Sequence, residues 1–322
     1  MNNESNTNIN NQIKSNYHTH TFLCKHALGD SEDYVKRAIM LGYHTIAITD
    51  HGPFPKFLQK KLKSRRMSIE QYDEVYLDML DRSVKKHKDE ILVLKGVEIE
   101  YLPELEPFYP KFLKDLDFMI LGQHYIKVGD NHKSIYLDLS KEEIMLYART
   151  VTEGIETGMF KIVAHPEIFC WNLKENEWDQ TCIDAANMII DAAIKNDVAL
   201  EINVNGVRNS FYQRKEFYQD GKINFPYPRR EFWDIAQSKN AMIVMNDDAH
   251  APNRLHDDYT LKTYKFVTEG GIKIIDRIKG LNDWFQPFFD VWMRNYWNKI
   301  ISSSQRGRFL MLLIGLKMKS EA

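Results

Sequence analysis

Short apolar or β-branched runs recur along the chain, at about residues 16–20, 45–49, 92–98, 117–122, 161–164, 198–203 and 241–246. Each gives way to a longer stretch whose apolar positions repeat with helical period. The spacing predicts seven strands alternating with helices. Helix signals agree: Ser68-x-x-Gln71 and Ser140-x-x-Glu143 are capping boxes, and Gly42 is placed to end the helix that follows Ser31. Repeated strand–helix units imply right-handed parallel crossovers and therefore an α/β fold. Periodicity alone leaves open whether the sheet is doubly wound or closed into a barrel.

Two stretches fall outside this rhythm. Residues 1–14 are polar and Asn-rich, with little apolar surface to offset the entropy of ordering, and are expected to form a flexible tail. From 283 onward, Trp284, Trp292, Tyr296 and Trp297 precede Arg306, Arg308 and an apolar run at 309–316, and the ionisable residues between Arg294 and Lys319 are all basic. We read 283–322 as a C-terminal helical extension of a domain spanning 15–282. It would dock on its own core or on a second copy of the chain, giving a homo-oligomer; a basic amphipathic helix touching a membrane is the alternative. No segment has the ~18 uninterrupted apolar residues that a spanning helix needs.

With 322 residues, 43% of them hydrophobic, the chain can bury a sizeable core, which excludes disorder throughout. Its 43 Lys+Arg against 45 Asp+Glu give a net charge of −2, so bulk charge predicts no stable nucleic-acid partner. Cys24, Cys170 and Cys182 form no CxxC pair and build no disulfide framework. The N-terminus has no apolar core of a signal peptide, so a cytoplasmic location is expected.

The placement of the histidines is more informative than their number. His18 and His20 form an H-x-H on the first strand, where a side-chain period of two turns both rings to one face. By itself such a pair is equally consistent with packing. The neighbouring strands decide: His26 follows the first, His51 the second, Glu98 closes the third, His124 and His165 follow the fourth and fifth, and Asp248 and His250 follow the seventh. In parallel α/β folds the carboxyl ends of the strands share one rim, so seven histidines and two carboxylates converge there. His44, His87, His132 and His256 lie at strand starts, in helices or in loops without partners and are left out.

Nine candidate ligands exceed the needs of one ion, so two or three divalent ions are expected; an imidazole-rich set suits Zn, Fe or Mn better than Mg or Ca. Three such ions bring +6 and the two carboxylates return −2, which calls for an anionic ligand. A phosphate ester dianion is the natural candidate, with water activated at neutral pH by the ions.

The motifs HTH, CKH, TDH, GVE, GQH, AHP and DDAH, in this order over about residues 16–252, resemble the polymerase-and-histidinol-phosphatase (PHP) family of metal-dependent phosphoesterases. The resemblance implies a distorted (β/α)7 TIM-like barrel with a trinuclear site. His18, His20, Glu98 and Asp248 would hold one ion, Glu98, His124 and His165 a second, and His26, His51 and His250 the third, with Glu98 bridging. The segments HTHTFLCKH, RMSIEQYDE at 66–74 and EINVNGVR at 201–208 point to the histidinol-phosphatase branch. They imply hydrolysis of a small phosphorylated substrate, L-histidinol phosphate, by direct attack of water activated on the metal. Glu98, Asp248 and Arg208 would serve catalysis, and Arg208 and Arg66 would grip the substrate, Arg208 through the fork geometry that suits phosphate. Asn246-Asp247 stands where relatives commonly carry Ser before the Asp. A protein tyrosine phosphatase or a nucleotide phosphoesterase keeps the same metals, and the Lys60–Arg66 basic run is the one segment that could serve a nucleic acid. A non-catalytic metal-binding module is the reading from a different class.

Overall fold

The computed structural model describes residues 13–213, 218–219, 222–223 and 226–281. The expected C-terminal extension and nearly all of the expected tail lie outside these residues. The chain divides into two compact units, Met1–Ile278 and Lys279–Ala322, and the fold below is that of the first.

Its seven barrel strands are β1 (Ser15–Asn16), β2 (Thr45–Ile48), β3 (Leu92–Ile99), β4 (Phe118–Leu121), β5 (Ile162–Val163), β6 (Ala199–Asn203) and β7 (Ile243–Asn246). They are hydrogen-bonded in chain order, and every pairing is parallel. A doubly wound sheet would reverse direction at a switch point, and this order never reverses. The two edges also meet: Thr19 and Ala249 form a parallel bridge, with His20 N–H donating to Ala249 O at 3.0 Å. The sheet is therefore a nearly closed, distorted (β/α)7 barrel.

The strands β2, β4 and β7 are buried along their whole length, as expected of a parallel sheet covered on both faces. Around it stand α1 (Ser31–Met40), α2 (Leu77–His87), α3 (Lys141–Glu156), α4 (Gln180–Lys195), α5 (Val204–Gln213), α6 (Arg230–Ser238) and α7 (Asp258–Glu269). Both predicted capping boxes form, at Ser68 and at Ser140. Gly42 sits at φ +73° just beyond α1, the left-handed conformation that ends a helix at little cost only for glycine. Between β4 and α3 an antiparallel hairpin, Tyr125–Val128 with Asn131–Ser134, leans over the carboxyl rim.

The first strand is shorter than its sequence suggests, so His18 and His20 lie past its end. Threonine side chains supplement the backbone bond from Thr49 N–H to Thr19 O there: Thr19 Oγ1 donates to Ala47 O at 2.7 Å, and Thr19 N–H donates to Thr49 Oγ1 at 3.1 Å. No helix among the described residues is long and apolar enough to cross a membrane.

Candidate metal centre

The carboxyl ends of the strands bring His18, His20, His26, His51, Glu98, His124, His165, Asp248 and His250 to one place. Glu98, at the end of β3 and buried, is at its middle. Its Oε2 lies 2.7 Å from His51 Nδ1, 3.3 Å from His18 Nε2 and 3.6 Å from His20 Nε2; its Oε1 lies 3.0 Å from His165 Nε2 and 3.7 Å from His124 Nε2. His20 Nε2 is 2.9 Å from Asp248 Oδ1. The left-out histidines stay away from this centre: His44 pairs with Asp276, His87 with Glu32 and Glu90, His132 with Glu104, and His256 with Tyr43.

Two features show that these residues fit cations. Buried polar atoms normally find hydrogen bonds, yet His18 Nε2, both ring nitrogens of His20, His51 Nδ1, Glu98 Oε2 and Asp248 Oδ1 have none of acceptable geometry despite their closeness. His26 Nδ1 lies 2.6 Å from Cys24 O, and His250 Nδ1 lies 3.1 Å from Asp248 O. A carbonyl only accepts, so each ring carries its proton on Nδ1 and presents a bare lone pair at Nε2. Those two Nε2 atoms face each other at 3.1 Å, an arrangement that is repulsive unless a cation is shared between them. These imidazole and carboxylate groups form clusters able to hold divalent metal ions.

The electrostatics favour the ligating forms of the two carboxylates and of four of the rings, whereas burial of His18 and His165 is outweighed by neighbouring carboxylates that raise both. Burial pushes the Glu98 carboxyl up, but His51, His18, His124 and the hydrogen bond from His165 outweigh it and hold it well below the usual range. Asp248 is held down in the same way, by His18 and His250 among others. Burial lowers His51, His124 and His26, and takes His250 down to about 3, so these rings are neutral. His165 and Asp248 have positive φ, +34° and +45°, in the left-handed region that non-glycine residues rarely occupy. A Cβ at Gly122 would overlap the Glu98 carboxylate, so only glycine leaves room for that side chain.

Several supporting residues escape the sequence reading. Glu201, buried on β6, takes the His18 Nδ1 proton at 2.8 Å and accepts from His165 N–H, Asn203 Nδ2 and Asn246 Nδ2. It fixes the His18 tautomer and leaves Nε2 to face Glu98. Asp50, beside His51, accepts from Thr21 N–H and Oγ1 and is pushed by burial up to about 6. For Glu201 the signal was present: a charged residue inside an otherwise apolar strand, as in ALEIN, is there for a partner.

The two arginines have different surroundings. Arg66 is buried at the centre's edge, paired with Glu100, and its Nη2 is 2.8 Å from His124 Nδ1. It lines a cavity of about 320 Å³ that also reaches His26, His51, His124 and Tyr136. Arg208, expected from the sequence to grip phosphate, has all three guanidinium nitrogens hydrogen-bonded to protein groups. Its Nε and Nη2 donate to Asp257 at 2.8 and 3.2 Å, its Nη1 to Asp247 O at 2.7 Å and its Nη2 to Arg254 O at 2.8 Å. A guanidinium so engaged ties α5 to the loop after β7. Asp247, the unusual second carboxylate, is engaged as well: it accepts from Asn16, Thr260 and the His256 N–H.

Residues 16–205 match the family model of the PHP domain. The chain belongs to the PHP domain family. Among its PHP relatives, a Deinococcus radiodurans protein named "Probable histidinol-phosphatase" is 23% identical over 273 residues, covering 83% of this chain and 92% of the relative. The histidinol-phosphatase of Bacillus subtilis is 21% identical over 266 residues, covering 74% and 93%. A crystal structure of histidinol phosphate phosphatase from Lactococcus lactis, complexed with zinc, L-histidinol and phosphate, superposes with a TM-score of 0.59 at 17% identity, covering 83% of this chain and 97% of that one. At that identity the superposition establishes the shared PHP barrel.

Proposed function

We propose that the chain is a metal-dependent phosphomonoesterase whose substrate is L-histidinol phosphate. The observation that carries the metal chemistry is the facing pair of bare Nε2 atoms on His26 and His250, next to a Glu98 whose two oxygens face different histidines. The substrate is suggested by the named relatives, which are histidinol phosphatases covered over nine-tenths of their length, and by the histidinol and phosphate held by the Lactococcus protein.

His18, His20, Glu98 and Asp248 would hold one ion, Glu98, His124 and His165 a second, and His26, His51 and His250 a third, with zinc, iron or manganese suited to the set. When bound, such ions neutralise the phosphoryl oxygens and lower the pKa of water toward neutrality. The chain supplies the rest. Glu201 and Glu100 hold His18 and His124 in orientation, and Arg66 offers its Nη1, which makes no hydrogen bond among the described residues, to a phosphate oxygen in the cavity. Cys24 is no candidate nucleophile: burial pushes its thiol up to about 12, leaving it protonated. In this reading water attacks phosphorus directly, the ester P–O bond breaks, the proton given up by the water ends on the departing histidinol oxygen, and no phosphorylated residue forms.

Steady-state kinetics on L-histidinol phosphate, a nucleotide monophosphate and a phosphotyrosine peptide, with metal content determined on the same sample, test this reading. The highest kcat/KM is expected for L-histidinol phosphate. Faster cleavage of either other substrate would keep the metal chemistry and reassign the substrate.

A further inference from the structure

The basic run beside the metal centre has a use that the metal ligands do not explain. Lys63 closes the short helix Lys56–Leu62 in a left-handed conformation, φ +49°, and residues 63–66 then line the mouth of the 320 Å³ cavity. This stretch is pinned. Gln59 Nε2 and Lys25 Nζ both donate to Arg66 O, at 2.8 and 3.2 Å, and Arg66 N–H donates to Ser64 Oγ at 3.2 Å. Lys63 and Arg65 are exposed, and neither side chain has a partner among the described residues. Other cations of the same run are committed elsewhere: Lys61 pairs with Glu104 and Arg66 with Glu100. The cavity wall contains Lys63, Arg65 and Arg66, the hydroxyl side chains of Ser64, Ser134, Tyr125 and Tyr136, and not one carboxylate.

Two exposed cations without acidic partners among the described residues, beside a candidate metal site, favour small anions. Clustered like charges raise the local concentration of the opposite charge. The cavity is too small for a polymer, and two free cations are far fewer than a nucleic-acid groove uses. We propose that Lys63 and Arg65, backed by Arg66, form a capture site for the phosphoryl dianion of the substrate, separate from the metal ligands. The inference rests on the phosphoester reading above for the identity of the anion. The mouth binds the dianion first, and the ester then moves inward to the metal centre.

The test uses the full-length, metal-loaded protein and three variants: Lys63→Gln, Arg65→Gln and the double substitution. Lys60→Gln, an exposed lysine on the same helix that does not line the cavity, is the charge-matched control. Binding of inorganic phosphate is measured by calorimetry at low and high salt, and kcat/KM for L-histidinol phosphate is measured in parallel. The double variant should bind phosphate about tenfold more weakly at low salt, with a flatter salt dependence, and kcat/KM should fall by a similar factor through KM. The control should match the wild type. Unchanged phosphate affinity and salt slope in the double variant overturn the proposal, and so does loss of phosphate affinity without loss of kcat/KM, which would make the mouth a product site only. A short single-stranded oligonucleotide that competes with phosphate for the wild type would also overturn it. If the wild type hydrolyses none of the phosphomonoesters tested but binds phosphate in a Lys63- and Arg65-dependent way, the capture site stands and the substrate reading alone fails.

Discussion

His26 and His250 face each other through unprotonated Nε2 atoms 3.1 Å apart, each with its own proton committed to a backbone carbonyl. Two lone pairs at that distance are held together by the fold and relieved by a cation. Chelation should therefore lower the melting temperature, and zinc or manganese should restore it. A ligand present at a thousand times its Kd stabilises by about 4 kcal/mol. Thermal unfolding with and without chelator checks this; identical curves would mean that the pair is not a metal site.

Glu201→Gln should damage the centre although it adds and removes almost no volume. All four groups around this carboxylate donate, so an amide NH2 must oppose a donor on one side. A buried mismatch of this kind costs about 1–3 kcal/mol. Lower stability and reduced metal content are expected together, measured by denaturant unfolding and elemental analysis.

Gly122→Ala should leave the barrel standing and empty the centre, because the new methyl occupies the space of the Glu98 carboxylate. Circular dichroism near that of the wild type with metal content strongly reduced is the expected pair of results.

The two buried arginines should separate. Arg66→Ala leaves buried Glu100 without its partner and should lower stability, and on the folded fraction it is expected to cost a further ~1.5–3 kcal/mol in kcat/KM for a phosphomonoester, the scale of a charge-assisted hydrogen bond. Arg208→Ala should act on stability, losing about 3–5 kcal/mol as Asp247 and Asp257 are left without their buried partner. Thermal melts beside kinetics on the folded fraction distinguish them.

Acid stability should depend in part on Glu32, which joins α1 to α2 through Lys86 and His87. Burial pushes its carboxyl up slightly, but hydrogen bonds from Lys86, His87 and Lys36 prevail and bring it down to about 2. A folded pKa below the unfolded value of about 4.3 means that the contribution is complete above that value and is lost as pH falls toward 2. The site is partly solvated, so screening limits it to about 1 kcal/mol or less. Glu32→Gln should be less stable than the wild type at pH 7, with the gap closing between about pH 4.3 and 2 in urea titrations.

The alternation of strands and helices and the convergence of the histidines were legible because both rest on local signals: a period in the apolar residues, and residue type at a strand end. Barrel closure was not readable from periodicity, since it depends on Thr19 meeting Ala249 across 230 positions of sequence, and came only from the resemblance to the PHP family. Nor was the shortness of β1, beyond which threonine hydroxyls supplement a single backbone pairing. The surroundings of Arg208 were hidden for a related reason. Motif position says which residues stand near a site, but its engagement by Asp257 and two carbonyls is a tertiary fact. Glu201 carried a readable signal, a charge in a buried strand, and Glu100 stands just past the end of another, yet nothing in the sequence said which histidine each one serves.

The most direct test of the account is the metal content and L-histidinol phosphate hydrolysis of Glu98→Gln, compared with His44→Gln. Glu98 has five histidine ring nitrogens within 3.7 Å, whereas His44 pairs with Asp276 away from the centre. The account predicts that Glu98→Gln folds but loses most of its metal and its turnover, while His44→Gln stays near wild type in both. A Glu98→Gln protein with full metal content and wild-type turnover would contradict it.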